Sequence, residues 1–263
     1  MLLVFYRLYI MSILLGNPFI DNECREKIIT STFVKKRILN DLKTTLQHLG
    51  INVIQLAKND LCNVIWMRDL FFKIDGKTFL CNNTTTDTLK IDRRGEKYLV
   101  TKYLKNYIEF PQNIKIEGGD IIQHKNNIFV GVNERTNIAA YNLLKKMFPR
   151  KNVIRINHTL IHLDCCFTVL DNNIFYSRQY VKSLPKNLKK DYSITVIEDI
   201  LGDIDPHLAL NLLIIGKNII TTDTPDFKPF RTLLKHMGYT VYPIKYNNLL
   251  EEGGGIRCLT QWL

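Results

Sequence analysis

Short apolar runs flank each of five helix-like stretches, and the set recurs at intervals of about fifty residues. A period of that size points to stacked or propeller-like supersecondary units and away from a doubly wound sheet. The clearest helix is expected at 30–49, where Phe33, Ile38, Leu39, Leu42, Leu46 and Leu49 keep helical spacing and Gly50 suits the position past a helix end. Further helices are expected at 96–107 (stopped by Pro111), 136–148, 179–190 (interrupted by Pro185) and 228–237. Strands are expected at 11–15, 51–56, 64–74, 78–81, 114–122, 128–132, 153–156, 163–170, 173–176, 194–197, 212–215, 219–222 and 240–243. Turns fall at Lys58-Asn59-Asp60, Asp75-Gly76, Lys125-Asn126-Asn127 and Asp171-Asn172. The chain has no dinucleotide or phosphate fingerprint. No linker-like segment divides it, so one α/β domain over 1–263 is expected, with 1–10 as an N-terminal extension ahead of Met11 and 21–26 as a polar connection.

The sequence supplies ample core material, with 46% hydrophobic and 23% charged residues. Its net charge of +11 is compatible with a nucleic-acid or acidic-surface partner. The bases are scattered, however, and runs such as Lys145-Lys146 and Lys189-Lys190 read as solvated helix faces; a basic surface would equally draw in anionic substrates. Neither a nucleic-acid nor a membrane partner is expected, since the apolar N-terminal run is broken by Arg7 and ended by Gly16-Asn17-Pro18. Six cysteines without CxxC pairing favour a reducing, cytoplasmic setting and speak against a zinc site.

Four short segments carry ionisable groups into apolar or glycine-rich surroundings. Gly253-Gly254-Gly255 precedes Cys258 by three positions, and the missing Cβ atoms allow another group to approach the backbone closely. Taken alone, Cys258 has a plain structural reading as a small buried hydrophobe. His162 and Asp164 are two apart in a stretch that reads as a strand, which would aim both at one face; such a pair is costly to bury unless it is paired or used. Glu117-Gly118-Gly119-Asp120 is either a surface turn or a place where a ligand or another backbone comes close. Arg68-Asp69 interrupts the apolar run of 64–72, and its plain reading is a buried ion pair holding loops together.

Together, in this order and at these separations, Arg68-Asp69, Glu117-Gly118-Gly119-Asp120, His162-Leu163-Asp164 and Gly253-Gly254-Gly255-x-x-Cys258 resemble the guanidine-modifying superfamily. That group comprises arginine deiminases, agmatine deiminases, dimethylargininases and amidinotransferases, and the resemblance covers about residues 63–260. Asn133-Glu134-Arg135-Thr136-Asn137 is similar to the arginine-bearing segment that holds a substrate's α-carboxylate in arginine deiminases and dimethylargininases. Arg93-Arg94-x-Glu96 is similar to a double-arginine segment of the arginine-specific members. The fold implied is a pentein, five ββαβ units around a pseudo-fivefold axis.

The resemblance implies a hydrolase of linear amidines acting on arginine or a methylated arginine, with no metal and no organic cofactor. Cys258 would be the nucleophile, His162 the general acid and base, and Glu117 the group that orients His162. Asp69 and Asp164 would bind the planar guanidinium. Arg135 and Arg94 would meet a carboxylate, and Asp120 would assist binding or act through structure. An amidinotransferase and an agmatine deiminase are the implied alternatives, the latter because Cys258-Leu259-Thr260-Gln261 resembles the agmatine deiminase ending. A non-catalytic RNA-binding pentein is the rival of a different class, and the assembly is left open, a homodimer included.

Overall fold

Four two-residue turns set the repeating geometry. The turns at 75–76, 125–126, 171–172 and 216–217 open on Asp75, Lys125, Asp171 and Gly216, whose φ values run from 48° to 59°. Positive φ at this position matches the twist of the flanking strands and lets them pair antiparallel without splaying. A computed structural model describes residues 11–18, 32–57, 64–82, 93, 95–245 and 253–263. The extension at 1–10, the connection at 21–26, the turn at 58–60, Cys24, Cys62 and Arg94 lie outside the described residues.

The series begins with β1 (Ser12–Leu15), α1 (Thr32–His48) and β2 (Asn52–Gln55), followed by β3 (Phe71–Ile74), β4 (Lys77–Leu80), α2 (Tyr98–Thr101) and β5 (Ile108–Glu109). Next come β6 (Ile121–His124), β7 (Asn127–Val132), α3 (Ile138–Met147) and β8 (Asn152–Asn157), then β9 (Phe167–Leu170), β10 (Asn173–Tyr176) and β11 (Ser193–Val196). After α4 (Glu198–Leu201) follow β12 (Leu213–Ile215), β13 (Asn218–Thr222), α5 (Lys228–His236), β14 (Thr240–Ile244) and β15 (Thr260–Trp262).

The strands form five three-stranded sheets under one rule: the first two strands are antiparallel, and the third is parallel to the second. A parallel neighbour requires a crossover, which is why a helical segment separates the second and third strands. In the β9–β11 unit that segment is a 3₁₀ turn, Lys186–Lys190. The fifth sheet is built from both ends of the series, with β15 antiparallel to β1 (Ile13 opposite Trp262) and β1 parallel to β2. A cavity of about 310 Å³ is lined by residues from β3, β6, β9, β12 and β15, so one strand of every sheet faces a common axis. This is the pentein arrangement.

Helices cover the outer faces. In α1, Ile38, Leu39, Leu42 and Leu46 are buried against Ile13 and Leu15 of β1, each such side chain contributing about 1.5–3 kcal/mol. Asn137 caps α3 by accepting from Ala140 N at 3.0 Å. No helix among the described residues is long and apolar enough to cross a membrane.

Several sequence expectations need correcting. The strands expected at 64–74, 114–122 and 163–170 are each a 3₁₀ turn (Met67–Asp69, Gly118–Asp120, Leu163–Cys165) followed by a four-residue strand. These turns are as buried as the strands, so hydrophobicity cannot separate the two. His162 and Asp164 are therefore not alternate residues of one strand: His162 is extended (φ −135°, ψ 155°) ahead of the turn that carries Asp164, and the two meet different partners. The helix expected at 96–107 shrinks to α2, and that at 179–190 to a 3₁₀ turn. α4 and β15 were not expected.

Candidate active site

Each first strand is preceded by a tight turn, and the five turns contribute Asp69, Asp120, Asp164, Asn211 and Cys258. Neighbouring turns are bonded together. Asp120 Oδ1 accepts from Leu163 N at 2.8 Å, Asn211 Nδ2 donates to Asp164 O at 3.3 Å, and Arg68 N donates to Cys258 O at 3.1 Å. Arg68 is further tied to Gln261 Oε1 (3.0 Å) and Ile121 O (2.6 Å), spanning three units.

One half of the site is an imidazole held by two carboxylates. His162 Nε2 lies 2.6 Å from Glu117 Oε2, and Nδ1 lies 3.5 Å from Asp69 Oδ1. Burial alone would lower the His162 pKa, but Asp69 and then Glu117 and Asp120 push it up to about 10. Glu117 moves the other way: burial would raise it, but the His162 bond and charge, with Arg93 and Arg135, hold it low. The result is an imidazolium–carboxylate pair at neutral pH. Arg93 Nη1 donates to Asp69 Oδ2 at 2.8 Å and its Nε donates to Glu96 Oε2 at 2.9 Å; burial pushes Glu96 up to about 7 against the pull of Arg93.

Arg135 Nη1 reaches Glu117 Oε1 at 3.5 Å. Its loop is fixed by Asn133, whose Oδ1 accepts from Arg135 N (2.8 Å) and Thr136 N (3.0 Å) while Nδ2 donates to Leu160 O and Ile161 O (both 2.9 Å). Asn133, Glu134, Arg135, His158 and residues 159–161 line a cavity of about 490 Å³.

The other half centres on a sulfur. Asn211 Nδ2 lies 3.2 Å from Cys258 Sγ and 3.3 Å from Asp164 Oδ1. The amide orientation is fixed independently, because Asn211 Oδ1 accepts from the backbone N–H of Arg257 at 2.8 Å and that group can only donate. Asp164 Oδ2 lies 3.5 Å from Arg68 Nε and 3.4 Å from Arg257 Nε. Burial raises the Asp164 pKa, opposed by Arg257 and Arg68, while burial and Arg68 bring Arg257 down to about 10. Asp69, Glu117 and His162, and separately Asp164, Cys165 and Cys258, offer donor atoms within 4.8 Å of one another, spacing that a metal ion could use. In both groups the carboxylates are already engaged by guanidinium groups.

Glycines make this density feasible. A Cβ on Gly119 would stand 2.6 Å from His162 Cγ; on Gly254 it would run into the Trp66 ring, and on Gly255 into Asn211 Oδ1. The glycine tract before Cys258 is thus a surface against which Trp66 and Asn211 pack.

The structure gathers Asp69, Glu117, His162 and Arg135 on one side and Asp164 with Cys258 on the other. The Cys258 sulfur is bonded by Asn211, and no hydrogen bond joins it to His162 among the described residues. Asp120 faces His158 Nε2 at 2.9 Å and Leu163 N, so its described contacts are with the frame behind His162. Arg68 and Asp69 do not pair with each other, as their plain sequence reading had it; they hold Asp164 and Arg93 respectively. Asn211, Arg257 and Glu96 were missed as site residues, and only position before the first strand of a unit could have flagged Asn211.

Five ββαβ units closing on one axis, with polar turns gathered before the axial strands, define a pentein of the guanidine-modifying superfamily. Within it, the chain belongs to the arginine deiminase family, whose model matches residues 21–197. Arginine deiminase of Lactococcus lactis subsp. lactis is 25% identical over 290 residues, covering 88% of this chain and 70% of its own. The uncharacterized Bacillus subtilis protein YkgA is 26% identical over 227 residues, covering 83% and 76%. Among solved structures, a mutant DDAH from Pseudomonas aeruginosa complexed with citrulline superposes with a TM-score of 0.76 at 14% identity, over 96% of this chain and 98% of its own. SxtG, an amidinotransferase from Microseira wollei, gives 0.78 at 16%, over 96% and 93%. Both share the fold.

Proposed function

We propose that the chain is a cysteine-dependent hydrolase that converts the guanidino group of arginine or a methylated arginine to citrulline through a covalent amidino-thioether on Cys258. In this reading 1–263 acts as a single pentein catalytic domain, on a small guanidino substrate. The observation that carries it is that the turns before the axial strands hold both a thiol sharing the Asn211 amide with Asp164 and an imidazolium gripped by Glu117 and Asp69.

The substrate guanidinium lies against Asp69 and Asp164, whose oxygens match its N–H fork. The Cys258 thiolate, receiving a hydrogen bond from Asn211, attacks the central carbon. His162 enters protonated and gives its proton to the departing amine. A bound cation on Asp69 weakens the field that holds His162 charged, easing that transfer. Neutral His162 then takes a proton from the water that attacks the thioether, and collapse frees citrulline and the thiolate. Glu117 orients the ring, and Asp120 is a positioning residue acting through Leu163 N. Arg135, at the 490 Å³ cavity, meets the α-carboxylate, with Arg94 as a second contact. Attack by an amine in place of water would make the same centre an amidinotransferase, and a substrate without a carboxylate would make it an agmatine deiminase.

The test is parallel incubation with L-arginine, Nω,Nω-dimethylarginine and agmatine, following citrulline, ammonia and dimethylamine, with Cys258→Ser as control. Citrulline that vanishes in the variant supports the hydrolase, and the amine released names the substrate. A Cys258 adduct without citrulline would indicate the transferase. Neither adduct nor product would remove the site assignment.

A further inference from the structure

The reaction above uses one thiol, yet the site holds two. The Cys165 and Cys258 sulfurs lie within 4.8 Å of one another, and Asn211 Nδ2 reaches both, at 3.9 and 3.2 Å. Cys165 also sits 3.7 Å from Asp164 Oδ1. Cys165 shares one apolar cluster with Cys258, whereas Cys81 and Cys166 belong to two others. The two thiols come from the turns of different units, so a bond between them would cross the site.

We propose that Cys165 is the resolving thiol of a reversible disulfide with Cys258, formed when a hydroperoxide enters the site. The Cys258 thiolate attacks one peroxide oxygen, the O–O bond breaks, and Cys258 becomes a sulfenic acid with release of hydroxide. Cys165 then attacks that sulfur; the S–O bond breaks, the Cys165 proton leaves with the hydroxyl group, and water departs. Overall two thiols and one hydrogen peroxide give one disulfide and two waters, each sulfur losing one electron to the peroxide. The S–S bond is about 2.05 Å long, so closing the gap requires a shift of the two sulfurs within one pocket. The disulfide removes the nucleophile and shields it from the irreversible sulfinic acid, until an external thiol reduces it.

The cross-link itself is independent of the proposed hydrolase, while the loss of turnover rests on it. The experiment treats the native chain with a molar excess of hydrogen peroxide, enough to carry an unprotected thiol past sulfenic acid, blocks remaining thiols with N-ethylmaleimide under denaturing conditions, and maps peptides without reduction. The expected result is one peptide pair joined through Cys165 and Cys258, with citrulline production lost and restored by dithiothreitol. Cys165→Ser and Cys165→Ala should lack the link, and their peroxide-treated Cys258 should carry sulfinic acid that dithiothreitol cannot reverse. A link through Cys166, or sulfinic Cys258 in the native chain with Cys165 still alkylated, would overturn the proposal. A link in a chain that turns over no guanidino compound would sustain the disulfide and discard the hydrolase.

Discussion

His162 faces a carboxylate at each ring nitrogen: Nε2 is hydrogen-bonded to Glu117 Oε2 at 2.6 Å, and Nδ1 lies 3.5 Å from Asp69 Oδ1 in an ion-pair contact. The folded chain therefore holds on to a proton that the unfolded chain releases near pH 6.5, His162 letting go only at about 10. Its contribution to stability is complete below pH 6.5 and is lost as pH rises through about 10, with a slope of about 1.4 kcal/mol per pH unit between the two. Glu117, held low, contributes in the opposite sense: its share is present above the ordinary carboxylate range and lost in acid. Urea midpoints measured from pH 6.5 to 10 should fall for the native chain and fall less for His162→Asn. Equal slopes would show that this proton is not held as described.

Asn211→Ala removes the amide that touches the Cys258 sulfur. A hydrogen bond to an ionised group is worth about 1.5–3 kcal/mol, so turnover should drop about tenfold to a hundredfold. The decisive measurement is the rate of iodoacetamide labelling at Cys258 at fixed neutral pH, which should fall. A purely structural Asn211 would lower stability and leave that rate in place.

Gly119→Ala should act through His162. The added methyl would stand 2.6 Å from its ring, so the ring or the Gly118–Asp120 turn must give way. Overpacking of this kind costs about 1–3 kcal/mol in denaturant titrations. Turnover should fall more than stability does, while Cys258 labelling persists. Gly254→Ala, which meets the Trp66 ring, should show a similar stability loss.

Arg135→Gln tests substrate class. If Arg135 meets an α-carboxylate, KM for arginine should rise at least tenfold while any slow turnover of agmatine is unchanged. Equal losses on both would mean that Arg135 serves Glu117, which it approaches at 3.5 Å.

Much of the fold was legible because its punctuation is local. Asp75-Gly76, Asp171-Asn172 and Gly50 sit where the chain needs positive φ, or polar residues that tolerate it, and α1 keeps a clean helical stripe. The 3₁₀ turns at Met67–Asp69, Gly118–Asp120 and Leu163–Cys165 were not legible, because they are short, buried and run straight into strands. The same turns carry Asp69, Asp120 and Asp164, so misreading the backbone did not hide the residues: a carboxylate in an apolar run is conspicuous whatever its φ and ψ. Asn211 stayed hidden because an asparagine in Leu208-Ala209-Leu210-Asn211-Leu212 looks like an ordinary loop residue. Only its contact with Cys258 makes it notable.

The pairing of β15 with β1 has a consequence for synthesis. A nascent chain can complete the β3–β5, β6–β8, β9–β11 and β12–β14 sheets as each emerges, while β1 waits for a partner more than 240 residues away in the sequence. Cys258 lies just before that partner strand, so the turn bearing the sulfur is seated last, when the ring zips shut. Until then a ribosome-bound intermediate carries its carboxylates and imidazole without the thiol, and it should bear an open edge on β1 that chaperones can recognise.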